Sequence, residues 1–348
     1  MRKPKILASM GPHLFSPEDI LHAFELGVKN YRVNLGKRHR NNLQYISNVF
    51  KAKEKRSDII LMIDLPSSRP RISNNFKDSF LEVGQEVLIY DSCISCNNLI
   101  KTCIPLYNLD ECFEYIEVGD IINFDDGKVK VRIESINISK KTLKAICIKS
   151  MSPIVKSTSI IINNKSISYT LLTKEDRQFL LRLKKYQLVP DWISISFVEN
   201  GIDIKTLKKE INNIFGENEI KIISKIETQN SLNNINDIIK CSNGIMVARG
   251  DLCQNIDPAM IPTVQQSLVK LANEKQVISI VATQILEKFA ITGEVCFSEL
   301  SDISLAVQQR TDFLMLSGES GAKRSKECLK LMTEVIHEEF INRGYNSL

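Results

Sequence analysis

The chain has 348 residues, 43% of them hydrophobic and 25% charged, and this balance excludes a disordered, collagen-like or coiled-coil protein. Its formal charge of +5 is mild, so it suits a small anionic substrate and does not indicate nucleic acid. No apolar run reaches the roughly 18 residues of a membrane span, and the N-terminus has no signal-peptide pattern. We therefore expect a cytoplasmic protein built as two domains or as one large barrel.

The nine cysteines are expected to be free thiols, because no export signal precedes them. Cys93 and Cys96 have the spacing of a zinc site, but Cys103 and Cys112 do not form a second such pair. No histidine lies nearby in the sequence, so ordinary thiols are favoured over a zinc site.

The first 72 residues predict strands and helices in alternation. The strands are apolar on both faces, as parallel strands covered by helices must be, and they span 5–10, 31–35 and 59–65. Ser16, Pro17 and Asp19 are typical of a helix start with a capping box. A second helical stretch follows the second strand, near residues 41–53.

The pattern changes between about residues 73 and 160, where no good helix is predicted. Short β-like segments replace the alternation, at 86–90, 120–124, 128–136 and 142–148. Asp125-Asp126-Gly127 is a signal for a hairpin turn. We expect an inserted, mostly β domain at 73–160, between a first barrel segment at 1–72 and a second at 161–348.

The alternation resumes at Thr173, which caps a predicted helix over 174–186. The remaining strands are predicted at 192–197, 220–227, 244–249, 277–283 and 313–317, and the last helix at 325–342. Three strands before the insertion and five after it predict an α/β fold, a (β/α)8 TIM barrel with a small β domain inserted after strand 3. A doubly wound open sheet is the alternative, but the sequence lacks the GxGxxG turn that would support it.

Polar residues gather at the C-terminal ends of six predicted strands, where barrel enzymes have their active sites. They are Arg32 and Asn34, Asp64 with Arg69 and Arg71 beyond it, Lys225 and Glu227, Arg249, Gly250 and Asp251, Thr283 and Gln284, and Ser317 to Glu319. Any one of them could simply meet solvent. Six strand ends with complementary chemistry indicate a shared site instead.

Two carboxylates and a lysine predict a metal-assisted reaction. Lys225 and Glu227 are two residues apart on a strand, so their side chains point to one face. Glu227 and Asp251 come from neighbouring strands and could share one ion, and oxygen ligands with room for water suit Mg2+ or Mn2+. A lysine beside such an ion can neutralise the charge of a transferring phosphoryl group or an enolate.

Three further side chains extend this chemistry. Arg32, with Arg71, could clamp a phosphate, because a guanidinium binds phosphate through two hydrogen bonds. Thr283 has a hydroxyl that could relay a proton, alone or through water. The whole set predicts phosphoryl or enolate chemistry on a small, highly anionic substrate.

Seven motifs in the same order resemble the pyruvate kinase family over nearly the whole chain. They are Ser9-Met10-Gly11-Pro12, Val118-Gly119-Asp120, Asp125-Asp126-Gly127, Ser224-Lys225-Ile226-Glu227, Met246-Val247-Ala248-Arg249-Gly250-Asp251-Leu252, Ala282-Thr283-Gln284-Ile285-Leu286-Glu287 and Met315-Leu316-Ser317-Gly318-Glu319-Ser320. The resemblance implies transfer of the phosphoryl group of phosphoenolpyruvate to ADP, giving pyruvate and ATP, with Mg2+ as cofactor.

The resemblance also implies roles for individual residues. Lys225 would stabilise transition-state charge, and Glu227 and Asp251 would bind Mg2+. The backbone amides of Gly250 and Asp251 would hold the substrate carboxylate, and Thr283 would lie near the enolate carbon that takes up the proton. Arg32 and Arg71 would face phosphates, and the β domain would close as a lid.

Some segments depart from the family pattern. Asn34 and Asp64 of the family's K+ site remain, but Gly36 replaces the serine ligand. Arg69 stands where family members that do not need K+ carry lysine, so its guanidinium could replace the monovalent cation. We expect independence from K+ rather than a vacant or weak K+ site. Lys156 is the candidate for the nucleotide-facing lysine of the lid.

The chain stops about where the family's C-terminal regulatory domain begins, so we expect that domain to be absent. A homo-oligomer could still form through the barrel face.

Two other functions remain open. The altered lid and strand-two loops could indicate a phosphoenolpyruvate-dependent phosphotransferase with another acceptor. The other hypothesis is a catalytically weak paralogue with a binding role. The joint presence of a set typical of catalysis argues against it, namely Lys225, Glu227, Asp251 and Thr283.

Overall fold

A computed structural model describes residues 3–37, 41–93, 102–162, 167, 169–216 and 218–342. Its strands are β1 (Lys5–Ser9), β2 (Asn30–Asn34), β3 (Ile60–Leu65), β4 (Arg71–Ile72), β5 (Glu86–Asp91), β6 (Cys103–Tyr107), β7 (Ile121–Phe124), β8 (Val129–Asn137), β9 (Thr142–Ser150), β10 (Ile160–Ile162), β11 (Trp192–Ile195), β12 (Lys221–Ile226), β13 (Gly244–Ala248), β14 (Ile278–Ala282) and β15 (Phe313–Leu316). Its helices are α1 (Pro17–Glu25), α2 (Asn42–Lys55), α3 (Asp110–Phe113), α4 (Lys174–Lys185), α5 (Gly201–Phe215), α6 (Gln229–Asn233), α7 (Ile235–Cys241), α8 (Arg249–Leu252), α9 (Ile261–Glu274), α10 (Glu287–Thr292), α11 (Phe297–Gln308) and α12 (Ser325–Asn342). The chain divides into two compact units, one of Met1–Pro66 with Leu171–Leu348 and the other of Ser67–Thr170.

The first unit is a closed barrel of parallel strands in the order β1, β15, β14, β13, β12, β11, β3, β2. The barrel closes where Lys5 of β1 pairs with Phe313 of β15. β3 pairs directly with β11, with Ile63 opposite Ile193, so the segment inserted between them does not interrupt the sheet. The predicted TIM barrel is confirmed, and the open sheet is excluded.

Apolar side chains pack on both faces of the barrel sheet. Alternate residues of each strand point to opposite faces. Leu7, Trp192 and Phe313 belong to the cluster inside the barrel, where the rings of Trp192 and Phe313 meet edge to face with centroids 5.2 Å apart. Ile63 and Val247 belong to the cluster between the strands and the helices. Burial on both faces explains why these strands read as continuous apolar runs.

Side-chain caps fix the starts of the helices that the sequence predicted. Ser16 Oγ accepts a hydrogen bond from Asp19 N at 3.1 Å, and Asp19 Oδ2 accepts one from Ser16 N at 3.2 Å. Thr173 and Asp176 form the same reciprocal pair at the start of α4. These bonds satisfy amide groups that the helix itself leaves without an acceptor. Across the described residues, no helix combines the length and the apolar character that crossing a membrane requires.

The second unit contains a seven-stranded sheet in the order β10, β7, β8, β9, β5, β6, β4. Its strands are paired antiparallel except for β5 and β6, which run parallel. The predicted hairpin turn at Asp125–Gly127 is a short 3-10 turn that joins β7 to β8, with Phe124 opposite Val129. A separate apolar cluster, which includes Ile89 and Phe124, forms the core of this unit.

The second unit is longer than the sequence pattern indicated. Its boundaries fall at 66/67 and 170/171, where the pattern suggested 72/73 and 160/161. The cause is strand pairing, because Arg71 of β4 pairs with Tyr107 of β6 and Ile161 of β10 pairs with Asn123 of β7. The four-residue helix α3 also lies in this unit, in a stretch where no helix was predicted.

Candidate active site

A lysine and a glutamate form a buried ion pair at the C-terminal end of β12. Lys225 Nζ lies 2.7 Å from Glu227 Oε1 and donates a hydrogen bond to Ser196 Oγ at 2.8 Å. Glu227 is completely buried, and its Oε2 accepts a hydrogen bond from Phe197 N at 2.7 Å. Both side chains are therefore fixed on one face of the strand end, as their two-residue spacing requires.

The charges in this pair depend on their surroundings. Burial disfavours the ammonium of Lys225, but the carboxylates of Asp64, Glu227 and Asp251 outweigh burial and raise the pKa of Lys225. Burial raises the pKa of Glu227 to about 7, although Lys225 acts in the opposite direction. Lys225 is thus a stable cation, and a further cation beside Glu227 would lower the pKa of its carboxyl group and favour the carboxylate.

A second buried ion pair joins β2 to β3. Arg32 Nε donates to Asp64 Oδ2 at 2.7 Å, Nη2 lies 2.5 Å from the same oxygen, and Nη1 donates to Ser9 Oγ at 2.8 Å. Burial opposes ionisation of Asp64, but the nearby cations Lys225 and Arg32 outweigh it and lower the pKa of Asp64. The guanidinium is therefore held in one orientation by a charged partner and a hydroxyl.

The carboxylates of Glu227 and Asp251 offer a place for a divalent ion. Asp251 lies in α8, directly after β13, and its charge acts on Glu227. The buried Glu227 Oε1 faces the Lys225 ammonium at 2.7 Å, and a carboxylate oxygen has further lone pairs with which it can also bind a metal ion. In the described ranges no group of three or more acidic, cysteine or histidine side chains is placed to bind a metal. Two protein oxygens, completed by water and substrate, fit Mg2+ and not zinc.

Thr283 and Gly250 meet at the ends of β14 and β13. The amide of Gly250 donates to Thr283 Oγ1 at 2.9 Å, and Thr283 Oγ1 in turn donates to the carbonyl of Ala282 at 2.6 Å. The Gly250 amide, expected to face a substrate carboxylate, is therefore engaged by Thr283 in this structure. Thr283 is half-buried, and its φ of +69° lies in the left-handed region.

Asn34 and Arg69, expected at a monovalent-cation site, each have a local partner. Asn34 Oδ1 accepts a hydrogen bond from Gly36 N at 2.8 Å, within its own loop. Arg69 belongs to the second unit, where it is buried and its Nε donates to the carbonyl of Ile160 at 2.7 Å. The barrel thus brings Asn34 and Asp64 to the ends of adjacent strands, and Arg69 is described within the other unit.

Arg71 and Lys156, expected to face a nucleotide, also belong to the second unit. Arg71 Nη1 donates to the carbonyl of Ser157 at 3.5 Å. The side chain of Lys156 is exposed, and its backbone amide donates to Asp78 Oδ1 at 3.0 Å. Arg71 therefore contacts the residue that directly follows Lys156, so the two basic residues lie near one another within the second unit.

Three groups that fix the site were not predicted from the sequence. Ser9 ends β1 and holds Arg32, and Ser196 follows β11 and holds Lys225. These are the two strand ends at which the sequence analysis identified no site residue, so the available signal was a small hydroxyl side chain at the end of a strand. The amide of Phe197, a residue with a φ of +58°, donates to Glu227, and no local sequence pattern reveals this contact.

The described cysteines are free thiols, as expected. In the segment with zinc-like spacing, Cys93 is exposed, Cys103 half-buried and Cys112 buried. Cys96, the other member of the expected pair, lies outside the described residues.

The barrel and the cluster of cations and carboxylates at its strand ends define an enzyme of the (β/α)8 class suited to an anionic substrate. The family model described as "Pyruvate kinase, barrel domain" matches residues 1–325. A pyruvate kinase of Borreliella burgdorferi is 31% identical over 334 residues, which are 95% of this chain and 67% of that protein. Pyruvate kinases of Sporosarcina psychrophila and Methanocaldococcus jannaschii are 30% and 31% identical, and the matches cover 54% and 72% of their lengths.

Solved structures agree on the fold. A crystal structure of Cryptosporidium parvum pyruvate kinase matches with a TM-score of 0.87 at 24% identity, over 97% of this chain and 70% of that chain. A Cryptosporidium parvum pyruvate kinase in complex with ADP matches with a TM-score of 0.85 at the same identity, over 97% and 68%.

The chain belongs to the pyruvate kinase family, which is a family of phosphotransferases. The family and the enzyme class predicted from the sequence are therefore confirmed. The chain spans between 54% and 72% of the length of the curated relatives named above.

Proposed function

We propose that this chain transfers the phosphoryl group of phosphoenolpyruvate to ADP and releases pyruvate and ATP. The observation that carries the proposal is the buried ammonium of Lys225, 2.7 Å from Glu227 and kept charged, despite burial, by the carboxylates around it. A fixed cation suits a transition state in which negative charge spreads over the phosphoryl oxygens and the enolate. The relatives named pyruvate kinase support this choice of substrates.

Arg32 is assigned to the substrate phosphate. Its guanidinium is already oriented by Asp64 and Ser9, so little conformational freedom is lost when an anion binds. Lys225 and Arg32 are both close enough to Asp64 for their charges to lower its pKa. The two cations are therefore near one another, which supports a shared role in binding the substrate phosphate. Together they would bind the phosphoryl group and stabilise its charge during transfer.

Glu227 and Asp251 would hold Mg2+, or Mn2+. When bound, the ion supplies polarisation of the phosphoryl and enolate oxygens. The complete burial of the Glu227 carboxyl group supports this assignment, as does the Asp251 charge that acts on it, because two neighbouring carboxylates in a buried position favour a bound cation.

The reaction ends with a proton transfer near Thr283. The bond between phosphorus and the enol oxygen breaks, a bond from phosphorus to a terminal oxygen of ADP forms, and the remaining enolate takes a proton at carbon. A substrate carboxylate bound to the amides of Gly250 and Asp251 would replace Thr283 Oγ1 as the acceptor of the Gly250 amide. The hydroxyl of Thr283 is then available to hold or pass the proton.

Other parts of the proposal concern the second unit and the monovalent cation. Arg71 and Lys156 are assigned to the phosphates of the nucleotide.

Independence from K+ is supported by the pairing of Asp64 with Arg32, because that carboxylate already has a cation beside it. Replacement of K+ by Arg69, a cytoplasmic location and a homo-oligomer through the barrel face stay predictions.

The test is formation of ATP from ADP by the purified chain. We expect turnover that requires phosphoenolpyruvate and Mg2+ and that continues when K+ is replaced by an inert large cation. Other nucleoside diphosphates, offered in parallel, would reveal a different acceptor. Absence of turnover with every one of them would overturn the proposal.

Lys225→Met tests the residue that carries the proposal. We expect kcat to fall by at least about 100-fold while phosphoenolpyruvate still binds, because the variant loses transition-state charge stabilisation. Lys221→Met is the matched control, since Lys221 begins the same strand and is exposed. Equal activity of the two variants would show that the Lys225 ammonium has no catalytic role.

A further inference from the structure

The loop after β14 has an unusual backbone. Thr283, Gln284 and Leu286 have φ values of +69°, +55° and +58°, and none of them is glycine. Side chains of L-residues disfavour this left-handed region, so three such residues in four positions require support from their surroundings. The loop carries the hydroxyl of Thr283, which makes its support relevant to the site.

One guanidinium supplies much of that support. Arg249 Nη2 donates to the carbonyl of Thr283 at 2.5 Å and to that of Gln284 at 3.4 Å, and Arg249 Nε donates to the carbonyl of Ala282 at 3.4 Å. The next residue, Gly250, donates its amide to Thr283 Oγ1 at 2.9 Å. The loop is thus held through its main chain by Arg249 and through its side chain by Gly250.

Arg249 is itself held by the helices outside the barrel. Its Nη1 lies 2.6 Å from Asp302 Oδ1 of α11 and donates to Gln265 Oε1 of α9 at 3.3 Å. Gln265 Nε2 continues the network by donating to Gln309 Oε1 at 2.7 Å. The side chain of Arg249 is only 9% exposed, so the Asp302 carboxylate is the charge that balances it.

We propose that Arg249 and Asp302 are positioning residues that hold the Thr283 hydroxyl in place for proton transfer to the enolate. The inference rests on the proposed function, because Thr283 has its role there. Without the Asp302 charge, the guanidinium would no longer be fixed against the three carbonyls. The loop would then relax towards negative φ and carry the Thr283 hydroxyl away from the Gly250 amide.

Asp302→Asn tests this with a readout specific to the proton-transfer step. The exchange of the methyl protons of pyruvate with D2O, followed by NMR, measures that step in reverse. We expect exchange and kcat to fall by about 10- to 100-fold, the range expected for a misplaced catalytic group. The KM for phosphoenolpyruvate and the affinity for Mn2+ should stay within about two-fold, since Arg32, Glu227 and Asp251 are untouched. The solvent isotope effect on kcat should increase.

Two further variants separate positioning from general destabilisation. Arg249→Lys keeps the charge but loses the planar fork, so we expect a fall in exchange similar to that of Asp302→Asn. Asp191→Asn removes another half-buried ion pair, 2.6 Å from Lys53 and adjoining the N-terminal end of β11, and should leave exchange unchanged.

The outcomes that overturn the inference are distinct. Wild-type exchange in Asp302→Asn, or an equal loss in Asp191→Asn, would overturn it while leaving the proposed function intact. A crystal structure of Asp302→Asn with Thr283 still at positive φ and bonded to Gly250 would overturn it as well. Wild-type protein with neither turnover nor exchange would remove the proposed function and this inference together.

Discussion

Arg32 and Asp64 form an ion pair whose side chains are only 7% and 2% exposed. Removing one member of such a pair leaves the other charge buried without a partner, which costs about 3–5 kcal/mol in comparable cases. We expect Asp64→Asn to lower the free energy of unfolding by roughly 3 kcal/mol, because the substitution also removes a counter-charge to Lys225. Urea denaturation at pH 7 measures this loss.

The pair of Lys29 and Asp58 is the matched control for that experiment. Its charged atoms are as close, at 2.5 Å, but the side chains are 45% and 51% exposed. Solvent screens such a pair, so Asp58→Asn should leave the free energy of unfolding nearly unchanged. If Asp64→Asn lowered the free energy of unfolding no more than Asp58→Asn does, the result would contradict the burial of the Arg32–Asp64 pair.

Glu199 gives a prediction about pH. It lies in the loop after β11, is 9% exposed, and accepts a hydrogen bond from Thr228 Oγ1 at 2.9 Å. Burial raises the pKa of Glu199, although hydrogen bonds from Thr228 and Asn230 act against burial. The folded protein therefore keeps a proton at pH values where the unfolded chain has lost it, so this group makes stability fall as pH rises above about 4.3.

Glu199→Gln should remove that pH-dependent loss. We expect the free energy of unfolding of the variant, relative to wild type, to increase between pH 5 and pH 8 in urea denaturation. Glu82→Gln, at an exposed position, provides the baseline. A difference between Glu199→Gln and wild type that does not change with pH would contradict the raised pKa.

At the level of elements, the loops after β1 and β15 touch through two glycines. A Cβ built on Gly11 would lie 2.6 Å from the Cα of Gly321. Beside this contact, Ser320 Oγ donates to the carbonyl of Ser9 at 2.8 Å, and Ser9 holds Arg32. We expect Gly11→Ala to force the loops apart and to lower the free energy of unfolding by about 1–3 kcal/mol in urea denaturation.

Gly318→Ala is the control for the glycine contact. Gly318 lies in the same loop after β15, has a φ of −72°, and has no atom within 4 Å of an added Cβ. This substitution should be neutral or slightly stabilising, because alanine loses less conformational entropy on folding than glycine. Similar destabilisation by both substitutions would show that the close approach of the loops is not what requires glycine at position 11.

The elements differ in how far the sequence predicts them. The barrel strands are predictable because burial on both faces leaves an unbroken apolar run, as in Gly244–Ala248, where the prediction was 244–249. β4 has two residues and β6 contains Pro105, so neither shows a strand pattern. Their conformation depends on pairing between distant residues, such as Arg71 and Tyr107, which no local pattern contains.

At the scale of the whole molecule, closing the barrel assembles the site from distant parts of the chain. Arg32, Asp64, Lys225 and Glu227 were predictable as charged residues at strand ends, because the barrel topology brings those ends together. Asp302 was not, since it lies within a helix and acts through Arg249. Residues that support a site through a second side chain are chosen by three-dimensional packing, and sequence spacing does not identify them.

Each unit also contains a buried cysteine whose reactivity can show whether the core around it is intact. Burial raises the pKa of Cys112 in the second unit to about 12, and that of Cys328 in the barrel to about 12. The hydroxyl of Ser298 lowers the pKa of the more accessible Cys296. Only the thiolate reacts with N-ethylmaleimide, so in native protein Cys112 and Cys328 should react at least about 100-fold more slowly than Cys296. Peptide mass spectrometry at increasing urea would show when each core opens, and rapid labelling of either thiol without urea would contradict the packing around it.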